Sequence, residues 1–227
     1  MLITAGPTRE PLDPVRFLSN YSTGYMGAQL AGEALRRGHR VTIIRGPTSE
    51  PMPNGAHVIG VERAREMARA LRREARQADA IIMAAAVADY APARTARSKL
   101  KRAGRTTLRL RATPDLIGRL PRHRGQIIAG FALETERVVP RAKAKLREKR
   151  LDLIVAQRVP PPTRLVGGRA ATALGPFGRQ PVHAWLLERA GAVMPLGRLP
   201  KPRIARALLD KIEALWYGQH RLAGRQN

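Results

Sequence analysis

The alternation of short apolar segments with amphipathic segments constrains the fold more than any other feature of this sequence. Buried strands joined through helices are typical of a parallel sheet that is covered on both faces. The sequence therefore predicts an α/β fold with three layers, built on a Rossmann-like, doubly wound, mostly parallel sheet with a late β-hairpin extension. The strand-like segments are 2–4, 40–44, 57–61, 79–86, 126–132 and 151–156, the hairpin is 183–188 and 192–196, and the helical segments are 26–35, 64–77, 137–149 and 202–217.

The chain is long enough to form a single domain over 1–227, because 44% of its residues are hydrophobic and can build a core. Two segments interrupt the pattern: a polar, basic segment at about 91–106 and a Pro/Gly-rich, variable loop at about 158–181. The absence of cysteine excludes disulfides, thiolate metal sites and cysteine nucleophiles. No apolar run approaches the roughly 20 residues of a membrane span, and no signal-peptide pattern is present, so we expect a cytoplasmic protein with no membrane partner.

The formal net charge of +25 raises the question of nucleic-acid binding. Only seven of the 42 basic residues are lysine, the arginines are spread along the whole chain, and aromatic residues make up only 4% of it. The charge therefore forms no single basic tract, and few rings are present to stack on bases. We do not expect a nucleic-acid partner, whereas a positive cleft would attract anionic small molecules.

The connection after the first strand is unusually long, since it extends from about residue 5 to residue 24. Loops of this length are usually functional or disordered. Ser22, Gly24 and Gly27 lie at the start of the helix that follows, where free backbone N–H groups and the helix dipole favour an anion. We predict that these three residues bind a substrate phosphate; a surface loop held by prolines is the alternative.

Several longer strings add a family resemblance over roughly residues 1–157. They are ITAGPTREPLDPVRFLSN (3–20), S-x-G-x-M-G (22–27), MAAAVADY (83–90), KLK (99–101), PDL (114–116), GFALET (130–135) and KLREKRLDLIV (145–155). In this order and spacing they resemble bacterial phosphopantothenate–cysteine ligase, also called phosphopantothenoylcysteine synthetase. The opening string and MAAAVADY are highly specific, whereas PDL or KLK alone would mean little. The late hairpin and the last helix fit the family more loosely.

The resemblance implies a ligase of coenzyme A biosynthesis that joins 4′-phosphopantothenate to L-cysteine. The pantothenate carboxylate attacks the α-phosphate of CTP, with ATP as the alternative nucleotide, to give an acyl-nucleotidylate and pyrophosphate. The cysteine amine then displaces CMP. Because the reactants are anionic, the site must supply positive charge, which the family obtains from Mg²⁺ (or Mn²⁺) and basic side chains.

The resemblance also implies partners for the chain. The family forms a homodimer in which a flexible flap, here about 91–106, completes the site of the other protomer. In bacteria the family domain is often fused behind a flavin-dependent decarboxylase. Since nothing precedes Met1 in this sequence, we expect either a stand-alone ligase or an excised domain, with the decarboxylase as a separate partner.

Roles for individual residues follow from the same resemblance. Asn20 matches the asparagine placed at the acyl intermediate, and Lys99 matches the flap lysine that reaches the nucleotide phosphates. Arg16 matches a residue on the substrate side, and a surface salt bridge with Asp13 is its alternative role. These three are the predicted catalytic residues, and Asp89 is the predicted metal ligand. The predicted nucleotide-binding residues are Met83, Ala84, Ala85, Asp89, Lys99, Pro114, Asp115, Leu116, Ile117, Phe131, Lys145 and Lys149.

Departures from the family pattern keep other functions open. Tyr25 replaces a lysine near the expected phosphate, Ala112-Thr113 replaces Lys-Asn, and the segment 157–178 lacks the family's acidic loop. A noncatalytic, basic relative that binds nucleotides or RNA is therefore one alternative. An NAD(P)-binding Rossmann oxidoreductase is a poorer one, because it needs G-x-G-x-x-G after the first strand and an acidic residue after the second. The sequence has Gly6 alone at the first position and Arg45 at the second.

Overall fold

The computed structural model of this protein describes residues 1–102, 104–118, 120–159 and 177–223. Most of the predicted variable loop at about 158–181 lies outside the described residues. The helices are α1 (Tyr25–Arg36), α2 (Ala64–Glu74), α3 (Val138–Glu148) and α4 (Lys201–Ala223), and a short 3-10 helix (Ala75–Gln77) follows α2. The strands are β1 (Leu2–Ala5), β2 (Glu10–Pro11), β3 (Phe17–Leu18), β4 (Thr42–Arg45), β5 (His57–Gly60), β6 (Ala80–Met83), β7 (Tyr90–Pro92), β8 (Leu110–Ala112), β9 (Ile127–Glu134), β10 (Leu153–Arg158), β11 (Val182–Glu188) and β12 (Val193–Leu199).

The main sheet contains eight strands in the order β12-β11-β10-β9-β6-β1-β4-β5. Neighbours from β10 to β5 are parallel, and β11 and β12 extend the sheet in antiparallel fashion. The chain builds from β1 outward to β5 and then returns to the other side of β1 with β6. Strand order therefore reverses between β1 and β6, and such a reversal opens a crevice beyond the carboxyl ends of the strands. The predicted mostly parallel sheet with a hairpin extension is confirmed.

Alternate residues of the strands pack against two separate layers of helices. Ile3 and Ile43 belong to an apolar cluster that includes α1 and α4, whereas their neighbours Leu2 and Ile44 belong to a second cluster that includes α2 and α3. Burial of each such large aliphatic side chain contributes about 1.5–3 kcal/mol to folding. The two clusters on opposite faces confirm the predicted three-layer arrangement.

Helices α1 and α4 lie side by side and run parallel. At their starts, the Lys201 Nζ atom lies 5.9 Å from the centre of the Tyr25 ring. At the far end of α1, the Arg37 guanidinium donates hydrogen bonds to Asp210 at 2.7 Å and to Glu213 at 2.8 Å. The first turns of both helices are therefore brought to the same end of the sheet.

Two segments differ from the predicted pattern. Strand β6 ends at Met83 instead of 86, because the chain turns to run beside the opening loop: the Ala86 N–H donates to the Gly6 carbonyl at 2.9 Å. The predicted flap starts from a two-stranded base in which β7 pairs antiparallel with β8.

Among the residues that the structure describes, no helix has both the length and the apolar composition needed to cross a membrane.

Candidate active site

A cavity of about 790 Å³ lies beyond the carboxyl ends of β6, β9 and β10, next to the reversal of strand order. Its volume is typical of a small-molecule site, for which about 300–1,000 Å³ is usual. Its walls come from the first turn of α1, the segment after β6, the segment after β8, and α3. We call it the carboxyl-end cavity. A second cavity, of about 490 Å³, lies at the opposite end of the sheet, between Met1, His39 and Trp216.

Most of the predicted binding residues line the carboxyl-end cavity. They are Ser22, Gly24, Met83, Ala84, Ala85, Asp89, Pro114, Asp115, Leu116, Ile117, Phe131, Lys145 and Lys149. The segments that carry them are distant in sequence, and the sheet brings them together. What each of these residues binds stays a prediction, because their common position defines a pocket and not its ligand.

Two threonines fix the segment that follows β6. The Thr4 hydroxyl accepts a hydrogen bond from the backbone N–H of Ala85 at 3.1 Å, and the Thr8 hydroxyl accepts one from Ala88 at 2.9 Å. Both threonines are fully buried, so each satisfies a backbone group that solvent cannot easily reach. The alanines of this segment therefore present a fixed backbone with small side chains to the cavity.

Asn20 lies beside this segment; it is exposed and is not among the residues that line the cavity. Its side-chain Nδ2 donates a hydrogen bond to the carbonyl of Ala86 at 2.9 Å, and Ala86 itself lines the cavity. The neighbouring Ser19 hydroxyl donates to the Thr8 carbonyl at 2.8 Å. The opening loop is thus attached to the segment after β6, and the Asn20 amide is held in a defined orientation.

Arg16 is placed differently from its predicted role on the substrate side. Its guanidinium pairs with the buried carboxylate of Asp13 and donates to the Leu100 carbonyl at 3.0 Å. The Arg16 guanidinium, together with backbone N–H groups of Val15, Leu100 and Arg16, holds the pKa of the Asp13 carboxyl well below its usual range. Arg16 is not among the residues lining the cavity. The salt bridge with Asp13, the alternative named above, is present in the structure, and the predicted catalytic role of Arg16 stays a prediction.

Lys99 adjoins this Asp13–Arg16 pair, since the backbone N–H of Leu100 donates to Asp13 Oδ2 at 3.1 Å. The lysine is exposed and does not line the cavity of its own chain. Its predicted contact with nucleotide phosphates, which the family resemblance places across a dimer, therefore stays a prediction.

Gly27 is a packing residue in this structure. A Cβ atom at this position would lie 2.4 Å from the Cβ atom of Ala5. The glycine therefore allows α1 to approach β1 closely, and its side-chain position faces the sheet instead of the cavity. Gly27 is not among the residues that line the cavity, whereas Ser22 and Gly24 are, and its predicted phosphate contact stays a prediction.

Two lysines from the last turn of α3 and its end, Lys145 and Lys149, lie next to carboxylates on one wall of the cavity. Burial lowers the pKa of Lys145, against the opposing charges of Glu134 and Asp89, and its Nζ donates to the Phe131 carbonyl at 2.9 Å. Lys149 pairs with Asp115 at 2.9 Å, and this hydrogen bond raises the pKa of Lys149. The wall can therefore present cations to an anionic ligand.

Asp89 and Glu134 are the other carboxylates that line the cavity, and Glu134 Oε2 accepts a hydrogen bond from Arg141 Nη1 at 3.2 Å. In the described parts of the chain, no three His, Asp or Glu side chains are grouped closely enough to hold a metal ion by themselves. Magnesium in nucleotide sites usually takes only one or two carboxylates, and phosphate oxygens and waters supply its other ligands. Asp89 and Glu134 fit that requirement, and Glu134 was not among the predicted residues.

Lys201 is the cavity residue that the sequence analysis missed most clearly. It is the first residue of α4, only 4% exposed, and its Nζ donates to the Gly178 carbonyl at 2.6 Å. Burial lowers its pKa to about 8. Its rarity was a usable signal, since it is one of seven lysines in an arginine-rich chain. The remaining unpredicted lining residues include Tyr90, Thr113, Gln157 and Phe177.

Comparisons with known proteins agree with this fold. The family model for the DNA/pantothenate metabolism flavoprotein C-terminal domain matches residues 1–215. A cysteine/cysteine sulfinic acid decarboxylase from an unknown prokaryotic organism is 43% identical over 166 residues, which are 71% of this chain and 46% of that protein. The coenzyme A biosynthesis bifunctional protein CoaBC of Escherichia coli (strain K12) is 42% identical over 171 residues, which are 72% of this chain and 42% of that protein.

Both relatives are much longer than this chain, which spans less than half of their length. Among solved structures, the C-terminal domain of the coenzyme A biosynthesis bifunctional protein CoaBC superposes with a TM-score of 0.76 at 32% identity. The match covers 96% of this chain and 95% of that one. The similarity therefore extends over the whole α/β unit described here.

Proposed function

Because the chain belongs to the DNA/pantothenate metabolism flavoprotein C-terminal domain family, we propose that it is a ligase domain that joins 4′-phosphopantothenate to L-cysteine in coenzyme A biosynthesis. One observation carries the proposal: the carboxyl-end cavity collects the first turn of α1, an alanine segment, three carboxylates and the two lysines Lys145 and Lys149. These are groups suited to an anionic nucleotide and a phosphorylated acid. The relative named CoaBC and the solved C-terminal domain of a CoaBC protein support the same assignment.

The first step would form the acyl-nucleotidylate. The pantothenate carboxylate attacks the α-phosphate of the nucleotide, the bond between the α- and β-phosphates breaks, and pyrophosphate leaves with the electron pair. Lys145 and Lys149 would neutralise phosphate charge, and small side chains at Ala84 and Ala85 leave room for the base or ribose against the backbone. Asp89 and Glu134 would hold Mg²⁺ (or Mn²⁺) together with phosphate oxygens. That ion, when bound, withdraws charge from the phosphates.

The second step would form the amide. The cysteine amine attacks the acyl carbon, and CMP leaves as the carbon–nitrogen bond forms. Since Asn20 Nδ2 already donates to the Ala86 carbonyl, the Asn20 Oδ1 atom can accept a hydrogen bond from the incoming amine. This positioning needs no charged side chain and no covalent bond to the protein, in keeping with the absence of cysteine.

Finer features of the family belong to the same proposal. We propose CTP as the preferred nucleotide, with ATP as the alternative, and a single ligase domain over 1–227 that acts in the cytoplasm. We also propose a homodimer, because Lys99 lies outside the cavity of its own chain and would reach that of a second copy. A separate flavin-dependent decarboxylase would then act on the product, 4′-phosphopantothenoyl-cysteine, in the next step of the pathway.

The test is a turnover assay with purified protein, 4′-phosphopantothenate, L-cysteine and either CTP or ATP. We expect pyrophosphate release that requires the phosphopantothenate and is faster with CTP, and an acyl-cytidylate should accumulate when cysteine is omitted. The Lys99→Gln variant should lose turnover while keeping its fold, and mixing it with an Asn20→Asp variant should restore part of the activity if sites are shared between protomers. Salt-sensitive RNA binding without pyrophosphate release would favour the noncatalytic alternative instead.

A further inference from the structure

Lys201 occupies a position that costs folding energy. It is buried beside the Tyr25 ring, and it is the first residue of α4, where the positive end of the helix dipole disfavours a cation. Because α1 and α4 run parallel, the positive end of α1 lies beside it as well. A buried cation between two helix starts raises the local positive potential, and a negative partner would lower it.

The charged groups near Lys201 only partly balance it. Glu50 is the carboxylate whose charge acts on the lysine, but the Arg179 guanidinium already pairs with Glu50 at 3.0 Å. Arg179 also lies over the Tyr25 ring, with Cζ 4.6 Å from the ring centre. Among the described residues, Nζ donates a single hydrogen bond, to the Gly178 carbonyl, whereas an ammonium group has three donors.

The same wall of the cavity has a second buried polar group. Gln157, at the carboxyl end of β10, is 3% exposed, and its Nε2 atom has no hydrogen-bond partner among the described residues. In β10, Val155 belongs to the apolar cluster with α1 and α4, so by strand alternation Gln157 faces that same side. Buried donors that lack partners are uncommon in folded proteins. One wall of the cavity therefore carries an unpartnered amide donor, at Gln157, and an ammonium group, at Lys201, with donors beyond its bond to Gly178. Such a pair of groups indicates a ligand that accepts hydrogen bonds.

From this arrangement we infer that Lys201 binds a phosphoryl group of the ligand, beside the first turn of α1. The inference rests on the proposed function for the identity of that ligand. It also explains the departure at Tyr25: the family's lysine at that position is replaced by a ring, and a lysine from the last helix lies over the same ring. The phosphoryl group belongs either to the nucleotide or to 4′-phosphopantothenate, and binding measurements separate these two sources.

The test is isothermal titration calorimetry with CTP and, separately, with 4′-phosphopantothenate. A Lys201→Met variant should bind the ligand whose phosphate contacts Lys201 about 10–100-fold more weakly, as expected for the loss of a charged hydrogen bond. The other ligand should change by less than about threefold. Lys211→Met is the matched control, because it removes the same charge from the same helix where Lys211 pairs with Glu188, and both affinities should be unchanged.

A proton measurement distinguishes direct binding from a structural role. A bound phosphate near Lys201 favours its charged form, so binding to the wild type at pH 8 should take up protons, measured as a dependence of the heat on the buffer's ionisation enthalpy. Tyr25, Arg179 and Glu50 are the other ionisable groups around it, and they are unchanged in Lys201→Arg. The affinity of Lys201→Arg for the ligand should stay within about tenfold of the wild-type value, because arginine stays charged. Its binding should take up no protons.

The outcomes separate the two proposals. If the wild type binds neither CTP nor 4′-phosphopantothenate, the proposed function is wrong. If it binds them and Lys201→Met binds both equally well, or if no proton uptake occurs at pH 8, the role of Lys201 is refuted while the function stands. Circular dichroism checks the fold of each variant, and the proton measurement on the wild type does not depend on any variant.

Discussion

Because α1 packs closely against β1, replacing two of its glycines by alanine should change the free energy of unfolding in opposite directions. At Gly27, an added Cβ would lie 2.4 Å from the Cβ atom and 3.0 Å from the Cα atom of Ala5. Because both neighbours are part of the sheet, α1 itself must move. Overpacking of this kind costs about 1–3 kcal/mol, and two short contacts place Gly27→Ala near the upper end. Alanine recovers about 1 kcal/mol as the better helix former. We therefore expect the free energy of unfolding to fall by about 2 kcal/mol.

Gly32 provides the control within the same helix. Among the residues that the structure describes, no atom outside the local backbone of Gly32 lies within 4 Å of an added Cβ, so Gly32→Ala should raise the free energy of unfolding by about 0.5–1 kcal/mol. The gain in helix propensity is shared by both variants, and their difference therefore reports the steric cost at Gly27.

Urea unfolding followed by circular dichroism measures both free energies, provided that the m-values agree. Pyrophosphate release gives a second readout: Gly27→Ala should reduce it, because Ser22 and Gly24 at the start of α1 would shift, and Gly32→Ala should leave it unchanged. Equal stabilisation by the two substitutions would refute the argument, since it would show that α1 tolerates a methyl group against β1.

Three other predictions concern the cavity. Thr8→Val should lower the free energy of unfolding by about 1–3 kcal/mol in urea unfolding, because the buried N–H of Ala88 loses its acceptor; exposed Thr107→Val should leave it unchanged. Asn20→Asp should reduce amide formation by about 100-fold, as the donor to the Ala86 carbonyl is lost, while exposed Asn54→Asp keeps wild-type turnover. Finally, burial lowers the pKa of Lys201 from 10.5 to about 8. Between pH 8 and pH 10.5, Lys201 is therefore mostly protonated in the unfolded chain and mostly deprotonated in the folded one. The free energy of unfolding should therefore rise by about 3 kcal/mol relative to Lys201→Met as the pH increases from 8 to 10.5; a constant difference would contradict it.

The layers could be predicted from the sequence because the direction in which a side chain leaves a strand depends only on its position relative to its neighbours. Leu2 and Ile3 face opposite layers simply because they are neighbours in a strand, and the apolar runs and glycine stops locate the strands. Alanines 84 and 85 could be assigned to the cavity because a parallel sheet brings the carboxyl ends of its strands together.

Other parts of the site depend on contacts between distant segments, which periodicity does not encode. The Asp13–Arg16 pair is bound by the backbone of Leu100, more than 80 residues away in the sequence, and no local pattern around Arg16 indicates that contact. Gly27 has the spacing of a phosphate-binding residue, but its close contact with Ala5 depends on the packing of α1 on β1, which the sequence around it does not indicate. Lys201 lies more than 170 residues beyond Tyr25 in the sequence, and only the parallel packing of α4 on α1 brings the two together.

The parallel pairing of α1 and α4 has a consequence for the newly synthesised chain. The Arg37 contacts to Asp210 and Glu213 form only after α4 has left the ribosome, when every strand of the sheet has already been translated. Until then, the nascent polypeptide lacks both the cover over its first helix and the buried lysine beside it. A chain cut before α4 would consequently leave the apolar cluster around α1 without the cover that Ile204 and Leu208 provide.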